Sequence, residues 1–541
     1  MTNRKILEQL RKEAIARRSF LQGIGLAGLS VVGSGLPWPG SGVARAQDTA
    51  LRVSVDQAFS SLDATRRLNA LSPFAACLVV ERLVDFDLDG KLIPRLAESW
   101  SQPDPTTLVY QIRPGVTWSD GSPLTAEDVV WSFTERTLNP DMNGQAGNFE
   151  GWDAVEQTGD AEVTIRLKSP IGYWRNLPAT WVASIYQRAQ IEAHGDAVGS
   201  PKHMPIGTGP YVFTEFVPES RVELTRRDDY WGETPDIETL TLSSVPDEGT
   251  RLLAMQSGET DIVLRAPVAL LDRYDEIDGV TADTVPNLRV MTLHLNVRSA
   301  PFDDLNVRKA LAHAIDRSVM AAALMGGRGI VAEGIVSKFH WGDLMTREDL
   351  DSAYARLPSF GYSIDAAKQA LAASAYPDGF ETELLVHGEI FNRTSQVISA
   401  AVAEIGVTLN VREVPRSVID EALESAEKLP IQLISFGPNY PDPTNNLYIL
   451  FHSKFAGEFG FNVSNYENPE VDALLDSQIS DTDVASRNDK ILEAMALIQA
   501  DAVSIPLFEQ VEGIAYRDNL TVGSFGTWMR NTEWASRISR G

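Results

Sequence analysis

A single cysteine, Cys77, in 541 residues rules out an intramolecular disulfide, so packed cores must hold the fold. It lies in the apolar run FAACLVVERLV, where a thiol is expected to act as a small buried hydrophobe. A reactive thiolate needs a more electropositive and accessible setting. Histidine is scarce as well. The seven are His194, His203, His294, His313, His340, His387 and His452, with no two at metal-ligand spacing. No metal and no cofactor is therefore expected. The chain also lacks a G-x-S-x-G nucleophile elbow, an H-E-x-x-H pair and a Walker loop. Chance pairs among 74 carboxylates carry no argument for acid–base catalysis. Basic residues are in deficit, 47 against those 74, for a net charge of −27. Such a surface repels phosphate backbones and anionic lipid, so no nucleic-acid partner is expected. No internal repeat is present, and no long apolar run beyond the N-terminal segment.

That N-terminal segment is the most informative feature present. Arg17 and Arg18, in ARRSFLQ, precede an uncharged stretch from Gly23 to Gly42 that ends in ARAQ. A basic region, an apolar region and the small residues Ala44 and Ala46 together form a secretory signal, residues 1–46. Cleavage is expected near Ala46/Gln47, and the paired arginines suggest the twin-arginine route. The competing reading is a membrane anchor. Leu21 to Leu36 holds five glycines and two serines, short of the roughly 20 apolar residues a span needs. Gly23, Gly25 and Gly28 spell G-x-G-x-x-G, but no strand precedes them, so no dinucleotide site follows. Removal of the signal leaves 40 basic and 72 acidic residues. The mature chain, about 495 residues, is too long for one core and predicts two or three domains.

Along it, LRVSVDQAF alternates as a strand and runs into a polar loop at Asp56 and Gln57. TTLVYQIRPGVTWSDGSPLTAEDVVWSF predicts a strand, a turn at Asp120-Gly121, and a helix capped by Thr125 with Asp128. EVTIRLKSP and GPYVFTEFVPESRVELTRR read as a hairpin-like pair. One helix is expected from about Asp304 to Met325, ended by Gly326-Gly327. Asn468 and Pro469 open another. Between residues 380 and 437 the pattern is β-α-β-α-β, which predicts an open, mostly parallel α/β sheet. Right-handed crossovers would put the three strand ends on one edge, where ligands bind. The loops there are His387 to Arg393, Pro415 to Ser417 and Gly437 to Asn446.

In order along the chain, LVDFDLDGKLIPRLAESW, YQIRPGVTWSDGSPLTAEDVVWSF, IGTGPYVFTEFVPESRVELTRRDDYWGETPDIETLTL, PFDDLNVRKALAHAIDR and YPDPTNNLYILFHS resemble the bacterial extracellular solute-binding proteins of family 5. That resemblance implies a non-enzymatic receptor of an ABC importer. The implied fold is α/β: the two-lobed periplasmic binding protein fold (class II, cluster C type), with a hinge and an extra inserted domain. Lobe I would hold residues 47–82, 205–300 and 512–541, the insert 83–204, and lobe II 301–511. The implied role is capture of a peptide or peptide-like solute by lobe closure, and delivery to an inner-membrane ABC permease. A monomer is expected. From the resemblance the ligand would meet Asp56, Gln57 and Phe59, and the loop holding Gly437, Asn439, Tyr440 and Asp442. His387, Phe391, Asn392, Arg393 and Arg416 lie near the other strand ends. Where peptide-binding members place an aspartate for the peptide ammonium, this chain has Asn439, with Asp442 as a possible substitute. An amide supplies no charge-assisted bond, which keeps open a sugar, an opine or another amine-poor solute. An enzyme or periplasmic chaperone on this fold is the remaining alternative.

Overall fold

The computed structural model describes residues 49–65, 71–523 and 532–541; the signal expected over residues 1–46 lies outside them. Its backbone is a nine-stranded sheet. The order is Ile431–Phe436, Val280–Leu295, Ser504–Arg517, Ile262–Ala266, Ala50–Val55, Thr239–Ser244, Arg221–Arg226 and Tyr211–Val217, with Ile330–Val331 paired to Ser504–Arg517. Ala50–Val55 is parallel to both neighbours, Thr239–Ser244 and Ile262–Ala266. The alternation in LRVSV puts Leu51, Val53 and Val55 into one core with Leu240, Leu242 and Trp534. Cys77 is buried in that core, as its apolar run implied.

Two strands are unusually long. Val280–Leu295 and Ser504–Arg517 pair antiparallel along almost their whole length, with a register shift between Pro286 and Val290. On one side of the shift, Val280 and Ala282 pack with Leu252 and Tyr274. On the other, Met291, Leu293 and Leu295 pack with Leu311, Leu384 and Ile505. The expected lobe boundary at residue 300 lies just past the end of Val280–Leu295.

Residues 97–167 form a separate four-stranded antiparallel sheet, order Ala97–Asp104, Thr107–Ile112, Glu162–Leu167, Trp152–Gly159. Glu162–Leu167 pairs here, and Tyr211–Val217 pairs with Arg221–Arg226, so each expected half of one hairpin belongs to a different sheet. The Thr125 capping box forms as expected, with Thr125 Oγ1 accepting from the Asp128 amide.

Two further expectations change. The helix expected over Asp304–Met325 is two helices, Leu305–Ala314 and Arg317–Leu324. Ile315 is extended, and Asp316 caps the second helix by accepting from the Ser318 and Val319 amides. An aspartate inside an apolar pattern competes for backbone donors and restarts the helix. In the β-α-β-α-β segment, Phe380–Val386 and Val407–Glu413 pair in parallel. Ile431–Phe436 instead pairs antiparallel with Val280–Leu295. Only two of the three strands therefore share the parallel ladder.

Candidate ligand-binding cleft

The register brings separate segments to one place. Val55 ends its strand at the same edge as Ala266, which sits opposite Gly513. Phe436 ends its strand opposite Val290, which sits opposite Glu509. The carboxyl ends of strands from both halves thus converge on the middle of the two long strands, at 286–290 and 509–513. Carboxyl ends of strands leave free loops beside open main chain, the usual seat of a ligand in α/β sheets.

The backbone there is unusual. Arg265 (φ 54°) and Leu288 (φ 67°) are left-handed non-glycine residues. Each lies at a register shift, on strands flanking Ser504–Arg517 from opposite sides. Such conformations are costly and persist where neighbours hold them. Arg265 is held by ion pairs, its Nε 2.9 Å from Asp56 Oδ1 and its Nη1 3.4 Å from Glu512 Oε1. Leu288 is held by His340, whose Nε2 donates to the Leu288 carbonyl at 2.6 Å. His340 is fully buried, and burial pushes its imidazole down to about 4, so the ring is neutral.

Across the strands, Arg289 Nη1 donates to the Ser435 carbonyl at 3.0 Å, and Ser435 Oγ donates to Gln510 at 3.1 Å. Gly437 follows directly. A side chain there would stand 3.0 Å from Arg289 Cγ and 3.2 Å from the Leu288 carbonyl. Loop and strand Val280–Leu295 thus approach closely, and a side chain at residue 437 would press its neighbours aside by a few tenths of an ångström. Glu509 is buried, its Oε2 accepts from Ser337 Oγ at 2.9 Å, and burial raises its carboxyl to about 7.

The expected site residues divide into two groups. Asp56, Gln57, Gly437 and Asn439 stand at the convergence, with Gln57 exposed and the Asn439 amide bonded to Asn445 Oδ1. Phe59 has no exposed surface and packs in the first core, so its ring is not free to stack on a solute. Tyr440 is also buried, stacked on Tyr173 with ring centroids 5.6 Å apart. Asp442 has no exposure; its Oδ1 accepts from Arg487 Nη2 at 2.7 Å and from the Thr444 amide at 2.9 Å. Asp442 is thus already paired within the protein, by Arg487.

His387, Asn392 and Arg393 bond to their own surroundings: His387 Nδ1 to the Val414 carbonyl, Asn392 to Glu413, Arg393 to the Ala323 carbonyl. Phe391 packs on the second-half core, and Arg416 pairs on the surface with Asp420. Sequence reasoning missed Arg265, Glu512, Arg289 and Gln510. No local motif marks them, because register across some 250 residues brings them together.

The mixed α/β architecture is that of the periplasmic binding protein structures. The ABC transporter-associated periplasmic binding protein DppA from Helicobacter pylori, solved in complex with the peptide STSA, superposes with a TM-score of 0.73 at 20% identity, covering 92% of this chain and 99% of that one. Residues 91–458 match the bacterial extracellular solute-binding proteins, family 5 Middle, and the chain belongs to that family. Heme-binding protein A of Haemophilus influenzae is 29% identical over 465 residues, 80% of this chain and 82% of that protein. The dipeptide-binding protein of Escherichia coli K12 is 27% identical over 413 residues, 71% and 75% of the two chains. Among the described residues, no helix is long and apolar enough to cross a membrane, and no group of three His, Cys, Asp or Glu could hold a metal ion.

Proposed function

We propose that this chain is the solute-capturing receptor of an ABC importer and binds a peptide or peptide-like solute between its two halves. The observation that carries the reading is the convergence of strand ends from both halves on residues 286–290 and 509–513. The family membership and the dipeptide-binding relative support it. In this reading lobe I comprises 47–82, 205–300 and 512–541, less the part of the hinge strand beyond Val290. The insert is 83–204, and 301–511 forms lobe II.

Asp56 and Glu512 both pair with Arg265 on one side of the convergence, and Arg289 stands on the other. Closure would exclude water and strengthen each contact, and the solute's higher affinity for the closed state drives it. The receptor acts as a monomer without catalysis, is exported with its signal cleaved near Ala46/Gln47, and delivers its cargo to an inner-membrane permease.

Asn439 carries a second reading, an opine, sugar or other amine-poor solute, since no carboxylate stands at that position. A thermal-shift panel on protein stripped by refolding separates them. A solute at a hundred times its dissociation constant adds about 2.7 kcal/mol. Stabilisation by dipeptides or oligopeptides supports the first reading. Stabilisation only by opine-like conjugates or sugars assigns the second, and turnover of any bound solute defeats both.

A further inference from the structure

The ligand loop is gripped from a direction the two-lobe scheme does not require. Gly172, in the unit carrying the four-stranded sheet, donates its amide to the Ile479 carbonyl at the end of helix Pro469–Ile479. A side chain on Gly172 would lie 2.6 Å from Arg487 Nε, so this backbone rests directly on the arginine that neutralises Asp442. Next to it, Tyr173 stacks on Tyr440 at an interplanar angle of 14°. Two residues further, Arg175 Nη2 pairs with Asp343 Oδ1 at 2.8 Å. Beside that pair, Gly342 (φ +52°) brings Pro441 and the Gly90 carbonyl so close that a side chain would meet each at 3.0 Å. Tyr440 accordingly packs in the core of residues 83–185. The loop that sequence places at a ligand thus has one of its aromatic rings committed to another unit.

We propose that Ile171–Arg175 is a latch that seats the ligand loop Gly437–Asn446, with Tyr173 as its positioning residue. Asp442 and Arg487 fix the base of the loop from beneath, while Tyr173 fixes its tip from the unit carrying the four-stranded sheet. In taking Gly437–Asn446 as the ligand loop, the latch rests on the function proposed above.

Hydrogen exchange of the ligand-free mature protein tests it without any solute. Tyr173→Ala should raise amide exchange across Gly437–Asn446 by about tenfold, as expected for loss of an aromatic stack and its buried area. Phe380–Glu413 and Arg221–Ser244 should exchange as in the wild type. Tyr173→Phe, which keeps the stack, should restore protection. A folded Tyr173→Ala variant with wild-type exchange in the loop overturns the proposal. If that variant does not fold, a charge swap decides. Arg175→Glu should raise loop exchange about twofold, and adding Asp343→Arg should reverse it; no change with Arg175→Glu overturns the latch. A latch that holds in a receptor binding no solute would overturn only the proposed function.

Discussion

Asp56 and Asp442 are both aspartates in loops after strands that point at the same hinge, yet they do different work. The Asp442 side chain has no exposure and its partner Arg487 has 2%. Asp56 keeps 27% and Arg265 keeps 25%. A buried pair locks two elements together, because removing one charge leaves the other without solvent. The Asp56–Arg265 pair keeps about a quarter of its side-chain surface exposed, although the paired atoms Asp56 Oδ1 and Arg265 Nε are themselves buried. Burial, not residue type or loop position, separates the two carboxylates.

The largest way to break the comparison is to remove one buried charge. Arg487→Ala should cost about 3–5 kcal/mol in urea unfolding, while Asp56→Ala should cost about 1 kcal/mol or less. Equal losses would mean that the two pairs are alike and that Asp56 is a structural residue.

Glu509 extends the comparison as a buried carboxyl that no ion pair reaches among the described residues. Its folded value, about 7, lies above the ordinary carboxylate value, so the folded state holds a proton that the unfolded chain releases. Stability therefore falls as pH rises through that window, and the full cost is present at pH 8. Glu509→Gln should stabilise by on the order of 2 kcal/mol at pH 8 and by almost nothing at pH 4. A gain that does not depend on pH would contradict the assignment. His340 works in the opposite sense. Its depressed value makes the folded state lose stability as pH falls below the ordinary histidine value.

Asn439→Asp should tighten binding of a free-amine dipeptide such as Ala-Phe about tenfold, by adding a charge-assisted bond. Calorimetry that finds no gain would place Asn439 off the ligand face. Smallest of all, Arg416→Ala should change stability by less than about 0.5 kcal/mol and leave binding untouched, since it pairs with Asp420 on the surface.

Much of the local structure was legible because its causes are local. Alternation in LRVSV, the Thr125–Asp128 box and Asn468-Pro469 each specify an element within a few residues, and each element forms. The break at Ile315 was hidden because Leu311 and Ile315 keep helical spacing right up to Asp316, the cap of the second helix. The site was only half legible. Loops at strand ends could be found from periodicity, which places Asp56 and Asn439 correctly on loops. Whether a side chain in such a loop faces a solute or a core depends on what packs behind it. Phe59, Tyr440 and Asp442 all turned inward for that reason.

By itself the sequence determined most of the elements and the α/β class, since capping and periodicity act over short range; its motifs carried the family resemblance, and a single cysteine excluded an intramolecular disulfide. Tertiary structure alone decided that Ile431–Phe436 leaves the parallel ladder for Val280–Leu295, and that Arg265 meets both Asp56 and Glu512. It also decided that Tyr173 reaches Tyr440 across some 270 residues. Those are matters of register and burial, which arise only when distant segments compete for the same surface.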